Sequence, residues 1–323
     1  MGELAGNVIR SKLRLRSLLR LVFALLLASV LHAQDLSPRA YLITPIHSNA
    51  VTLSYSFSDG NINFNGALPV SDAKGRYSVP VFGYFHSFNF FGRSANVGAV
   101  LPYAVGNFHG TTTAVEQHLY RSGLVDSFYR LSVNLKGGPA MPAREFVKWR
   151  QNLLLGVSLN VIAPTGQYDP TKLINWGANR WAFKPEFGYS QRWGNWILDG
   201  YAGGWFFTTN PEFWSHTSSF PETRSQSQKP MGSFEGHLSY DFKPGVWVSL
   251  DGNFWVGGRT TVAGIENPLT KQQNSRLGGT AAIRIAKHQS LKFGYSDGTY
   301  VRYGGNYQNV SIGWQYSWLG KPN

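Results

Sequence analysis

The chain has 323 residues, a formal net charge of +13, 15% aromatic and only 15% charged residues, 36 glycines and no cysteine. The lack of cysteine excludes disulfides, thiolate catalysis and cysteine-based metal sites. The charged fraction is well below the roughly 25% of soluble domains, and the basic residues are scattered singly, which argues against a nucleic-acid partner and suits anionic headgroups or solutes.

Residues 1–33 read as an export signal. Arg10, Lys12, Arg14, Arg16 and Arg20 form a basic start, residues 21–31 an apolar run, and Ala33 a small residue before the expected cleavage site. The run is too short for an ordinary spanning helix. The segment's five basic residues and Glu3 carry +4 of the charge, leaving +9 on the remainder. Residues 34–49 are expected to be a periplasmic segment, 50–318 the folded body and 319–323 a short tail.

From residue 50 onward, apolar and polar residues alternate with period two, the pattern of half-buried strands. Val51, Leu53, Tyr55 and Phe57 share one face of the first strand, against Thr52, Ser54, Ser56 and Ser58. Further strands are predicted near 76–86, 93–103, 123–136 and 151–163. In the fourth, Val125, Tyr129, Leu131 and Val133 oppose Asp126, Arg130, Ser132 and Asn134. The second half repeats the pattern near 181–192, 195–208, 234–242, 246–256, 276–285, 291–296 and 310–318. Twelve segments long enough to cross a bilayer at a tilt (about 9–11 residues) predict an all-β fold. The expected architecture is a transmembrane antiparallel up-and-down β-barrel.

Connections support that reading. Long polar segments fall near 59–74, 104–122, 164–180, 210–229, 258–275 and 297–305, separated by shorter links near 87–92, 193–195, 243–245 and 287–289. Long extracellular loops alternating with short periplasmic turns are the pattern of outer-membrane barrels. Residues 137–150 break it, being long where a short turn is due, and leave room for one amphipathic helical turn at the rim. Closure is physically required, because an open sheet edge in hydrocarbon leaves backbone groups without partners. Twelve tilted strands give a backbone diameter of roughly 24 Å, so inward side chains fill much of the interior.

The run Ala163-Pro164-Thr165-Gly166-Gln167-Tyr168-Asp169, followed by Leu173-Ile174-Asn175-Trp176-Gly177-Ala178-Asn179-Arg180-Trp181, resembles the outer-membrane family named for the MetA-pathway of phenol degradation. Leu101-Pro102-Tyr103, Gly123-Leu124-Val125-Asp126, Gly138-Pro139-Ala140, the stretch from Trp205 to Asn210 and the stretch from Gly257 to Thr260 also match, so the resemblance spans about residues 40–318. It implies an outer-membrane barrel that passes aromatic or other small apolar compounds. It implies no catalytic residue.

Three sets of residues are candidates for function. Arg130, Lys184, Glu186, Arg192, Asp199, Glu235, His237, Asp241, Asp251, Arg276, Arg284 and Lys292 are predicted to face inward. Both signs are present, so they form either ion pairs bracing the wall or a ladder contacting solute. Tyr201, Trp205, Phe207, Trp247 and Trp255 form either an aromatic lining for planar solutes or girdle and packing residues. Within the loop, Pro164, Thr165, Gly166, Tyr168, Asp169, Asn175, Gly177, Asn179, Arg180 and Trp181 carry turn chemistry for a segment that closes the outer mouth or touches solute.

Enzyme patterns are weak. His47-Ser48-Asn49 is similar to the His–Ser pair of outer-membrane phospholipases but precedes the first strand. His237 and Ser239 share a strand face nearly 7 Å apart in Cα, too far for a nucleophile–base bond. No metal, nucleotide or other cofactor motif is present, and none is expected. The sequence therefore predicts a non-enzymatic outer-membrane channel for small apolar or aromatic solutes. Its expected partners are outer-membrane lipid, a small-molecule solute and, during biogenesis, the barrel-assembly machinery. A plugged structural barrel is the alternative, and a lipid-modifying enzyme a distant third.

Overall fold

The computed structural model describes residues 36–320, apart from 66, 68–70, 113–114, 173 and 218–220. The export signal expected over 1–33 lies outside the described residues, as do residues 34–35 and 321–323.

The wall is built from β1 (Ser48–Asn63), β2 (Ser71–Phe90), β3 (Arg93–Thr112), β4 (Val115–Leu124), β5 (Ser127–Lys136), β6 (Leu153–Ala163), β7 (Ala182–Trp193) and β8 (Trp196–Phe207). It continues through β10 (Met231–Lys243), β11 (Val246–Gly257), β14 (Gln272–Ala286), β15 (Gln289–Val301) and β16 (Gly304–Leu319). Short strands β9 (Gln226–Gln228), β12 (Thr260–Val262) and β13 (Ile265–Asn267) form a separate small sheet. Each wall strand pairs antiparallel with its neighbours, and β1 closes on β16 from Ser48↔Leu319 to Asn63↔Gly304. Because β4 and β5 form one interrupted stave, the barrel has twelve strands and is closed. Every wall strand except β4, which pairs with β3 alone among the described residues, thereby has a partner on each side, the condition for crossing hydrocarbon.

The alternation sorts as a membrane demands. Leu53, Tyr55 and Phe57 of β1, Phe187 of β7, Leu250 of β11 and Ile312 of β16 all face outward and are exposed. Their neighbours Ser58, Glu186, Ser249 and Asp251 are buried inside. This is the reverse of a soluble sandwich, and only an apolar surrounding medium makes it favourable. No helix among the described residues is long and apolar enough to cross a membrane.

Three segments differ from the sequence prediction; in the stretch at 297–305 only Arg302 and Tyr303 stand between β15 and β16. The long polar stretches at 59–74 and 104–122 are largely strand: β1 and β2 continue outward, and β3 pairs with β4 from Tyr103↔Leu124 to Thr112↔Val115. A wall that rises beyond the bilayer needs no apolar outer face, so its strands lack the alternation used to find them. The long link between β5 and β6 holds one helical turn, α1 (Ala143–Phe146). It docks at the short-turn end through Ala140 N–H to Gly92 O at 3.0 Å and Ser94 N–H to Gly138 O at 3.0 Å.

Candidate functional site: the barrel lumen

The interior holds a charged belt, an N-terminal segment threaded through it and, among the described residues, apolar clusters on either side.

The belt is a network of pairs. Lys184 Nζ reaches Glu186 at 2.6 Å and Glu235 at 3.4 Å, and Arg130 approaches Glu186 at 3.8 Å. His237 Nδ1 lies 2.9 Å from Asp251, whose other oxygen accepts the Thr280 hydroxyl at 2.6 Å. Ser249 also donates to Asp251. Arg192 pairs with Asp241 at 2.8 Å. Arg276 is buried and donates to Ser296 at 2.8 Å. Arg284 and Lys292 occupy positions of the same register parity but are exposed, apart from this network. His237 is thus engaged by Asp251 and not by Ser239, whose hydroxyl has no partner among the described residues.

Through this belt runs the segment 36–47, for which the alternation gives no signal. The Arg39 backbone N–H donates to Asp199 at 3.2 Å, its guanidinium to Asp241 at 2.7 Å, and the same group lies 4.2 Å from the Trp247 ring centroid. Ala40 N–H donates to the Tyr201 hydroxyl at 2.9 Å, and Arg130 donates to Ala40 O at 2.8 Å. Tyr41 is 1% exposed, donates to Glu186 at 3.1 Å and shares a hydrogen bond with Ser158 at 2.9 Å. Its ring lies where side chains at Gly156 and Gly188 would have to be. Ile43 packs with Met141 and Leu154, covered by Phe146 and Trp149 from the 137–150 link. His47 then donates its backbone N–H to Ser87 O at 2.9 Å as β1 begins. The segment contacts β3, β5–β8, β10 and β11, so it spans the lumen toward the short-turn end. Sequence reasoning missed Arg39, Tyr41 and Ile43; inward glycines at 156 and 188 on adjacent strands were the available hint that something bulky fills that space.

The aromatic candidates separate into two groups. Trp205 and Trp255 are buried in one cluster with Ile162, Ala182 and Met231, and Phe207 packs against it. Trp255 donates to Gln272 at 2.7 Å. Tyr201 and Trp247 instead contact the N-terminal segment, as described above.

The 164–181 loop folds over and into the long-loop end. Its anchor is Asp126, at the interruption between β4 and β5. One carboxylate oxygen accepts the Gly166 N–H at 2.9 Å and the other the Ala178 N–H at 2.8 Å. Gly166 and Gly177 touch backbone to backbone, so neither position tolerates a side chain. Thr165 accepts the Ser127 N–H at 2.9 Å and follows Pro164, which ends β6. Asn175 caps the tip, accepting from Asp169 N–H at 2.9 Å and donating back to its carbonyl at 3.0 Å. The Asp169 carboxylate accepts from the Thr171 hydroxyl at 2.7 Å, which holds its pKa below the usual carboxylate value. Asn179, in the left-handed conformation, donates to Asn210 at 3.0 Å; Asn210 in turn donates to the Tyr168 hydroxyl at 2.8 Å. Arg180 donates to Gln228 and lies 4.7 Å from the Phe207 ring; burial lowers its pKa to about 10. Trp181 turns outward, exposed and stacked on Phe183 at 6.1 Å.

The loop's tip sends Ile174 and Trp176 into the second apolar cluster, with Tyr77, Phe108, Tyr303 and Tyr307 among its members. This cluster fills the long-loop half of the lumen beside β1, β2, β3 and β16.

The solved structures similar to this chain are β-barrels. The COG4313 outer membrane channel from Pseudomonas putida F1 superposes with a TM-score of 0.72 at 18% identity, covering 88% of this chain and all of that one. The β domain of the Bordetella autotransporter BrkA gives a TM-score of 0.50 at 12% identity, covering 84% of this chain and all of that one. No curated protein matches the sequence. The family model described as "Putative MetA-pathway of phenol degradation" matches residues 51–320, the whole wall from β1 to β16. The chain belongs to that family of outer-membrane β-barrels.

Proposed function

We propose that the protein is an outer-membrane channel that passes small apolar or aromatic solutes, with its long loops outside the cell and its short turns in the periplasm. The observation that carries this reading is the lining of the long-loop half of the lumen. There Trp205, Trp255 and Met231 on one side, and Tyr77, Phe108 and Trp176 on the other, present apolar surface inside the barrel. A pore for hydrophilic solutes keeps charged or polar groups along its whole path. Here most of the charges lie in the belt and are paired with one another, and the buried Arg180 and Asp126 at the long-loop end are held by Gln228 and by two backbone N–H groups. The similar barrel from Pseudomonas putida is itself an outer membrane channel, which agrees with the reading. Liposome-swelling and single-channel measurements on the purified full chain test it. Permeation of small aromatic solutes with little passage of sugars is the expected result, and passage of no solute contradicts it.

A second reading, a structural barrel with a permanently closed lumen, is favoured by the Tyr41 contacts. If it holds, deleting residues 167–178 leaves permeability unchanged; a sharp rise rules it out.

A further inference from the structure

Within the apolar cluster at the long-loop end, three hydrogen-bonding groups have no partner. Among the described residues, these are Trp176 Nε1, the Tyr303 hydroxyl and the Tyr307 hydroxyl. Their residues are 6%, 1% and 0% exposed, so water does not reach them from the surface. A buried polar group without a partner is unusual in a native fold, and three in one cluster call for an explanation.

The cluster's geometry supplies one. Tyr77 sits at its centre, 5.1 Å from the Tyr307 ring and 6.0 Å from Trp176, while Phe108 lies 5.8 Å from Trp176. Tyr77 itself has Ser58 beside its hydroxyl. The glycine positions beneath are needed for the rings. A side chain at Gly75 would begin 3.0 Å from the Tyr307 hydroxyl, and one at Gly106 would begin 3.0 Å from the Trp176 ring. Aromatic surface has thus been fitted closely here, yet its polar atoms have been left unpaired. Phenylalanine would fill the same volume at Tyr303 and Tyr307 with no unsatisfied group.

The set also has a sign. An indole N–H only donates, and the buried Arg276 guanidinium, which only donates, acts electrostatically on the Tyr77 and Tyr307 phenols. The surroundings therefore favour an incoming acceptor over an incoming donor. A solute that separates the rings to enter the lumen exposes these donors at the moment it passes. A hydrocarbon leaves them unpaired; an apolar molecule carrying one accepting oxygen satisfies one or two of them. Such a solute stabilises the opened cluster relative to the closed one, which is what a ligand must do to shift a conformational equilibrium.

We propose that this cluster is a binding site for apolar solutes bearing one hydrogen-bond-accepting oxygen, such as a ketone or aldehyde carbonyl, with Trp176, Tyr303 and Tyr307 as the donors. The inference rests on the channel reading above and narrows its solute class.

Acetophenone and ethylbenzene are suitable probes, since they match in ring and length and differ in one carbonyl oxygen. Each is titrated calorimetrically into the full chain in detergent micelles, with empty micelles as the reference. The wild-type chain should bind acetophenone about tenfold more tightly, the yield of one or two neutral hydrogen bonds. In the Tyr303→Phe/Tyr307→Phe double variant the preference should fall to about twofold, with ethylbenzene affinity unchanged. Deleting two buried unpaired hydroxyls does not threaten the fold, so the variant remains a fair test. An unchanged preference in the double variant, or equal binding of both probes by the wild type, overturns the assignment while leaving the channel reading intact. Failure of both probes to bind, together with no permeation of small aromatics, overturns both.

Discussion

The ring of Tyr41 stands against Gly188: a side chain begun at Gly188 would lie 2.1 Å from the Tyr41 Cε2 atom. A tyrosine from the N-terminal segment and a glycine of β7 are therefore one fitted pair, separated by nearly half the chain. Gly188→Val should expel the ring and with it the segment 36–47, leaving the closed wall unchanged. Single-channel recording should show several-fold higher ion conductance, while the heat-shifted gel mobility of a folded barrel persists. Unchanged conductance would mean the segment does not constrict the lumen.

Arg39 makes the second contact of that segment, bridging Asp241 at 2.7 Å and covering Trp247. Arg39→Ala removes both and leaves Asp199 and Asp241 with fewer cations. Conductance should rise less than in Gly188→Val, and selectivity should move toward cations. A reversal-potential measurement in a salt gradient reads that shift.

Lys184 holds two glutamates in the belt. Lys184→Met leaves Glu186 and Glu235 without this cation, and breaking a buried pair on one side costs about 3–5 kcal/mol. Replacing Lys184 and Glu186 together by apolar residues should recover much of that. Urea unfolding in micelles, run as a double-mutant cycle, checks the difference.

Asp126 accepts two backbone N–H groups of the 164–181 loop. Asp126→Ala strands both, at about 1–3 kcal/mol for each. Amide exchange at Gly166 and Ala178 should accelerate well above that of the wall strands. Asp126→Asn, which keeps one carbonyl acceptor, should fall between the two.

Asp169 gives the loop a pH response. Its carboxylate is held below its ordinary pKa, first by the Thr171 hydroxyl and further by Lys172 at 3.0 Å. A depressed carboxylate stabilises the fold fully above its unfolded pKa of about 3.9, and that stabilisation is lost as pH falls through the folded value. Proteolysis of the loop should therefore be flat from pH 7 to 5 and increase below about pH 4, a rise that Thr171→Ala should move upward in pH. The group is partly exposed, so the effect is small.

The wall was legible because a membrane imposes the alternation on every strand, as β16 shows in a run of five apolar residues at period two, Val310 to Trp318. The inward parity of Lys184, Glu235 and Asp251 follows from the same rule. The rest depended on contacts the chain makes far from itself. Tyr41 meets Glu186 across 145 positions, and residues 36–47, interrupted by Pro38 and Pro45, carry no periodicity to announce a partner. The outer halves of β3 and β4 were read as loop because strands above the bilayer have no need of an apolar face. Asp126 was visible only as an inward polar residue; its role emerges once the loop returns to it from forty residues downstream.

The central claim is that apolar solutes cross through this barrel. Its most direct test is the entry of ethylbenzene into vesicles with a lipopolysaccharide outer leaflet, with and without the full chain inserted in one orientation. The account predicts entry about tenfold faster with the protein present, and faster again in Gly188→Val. Entry at the same rate with and without the protein would contradict it.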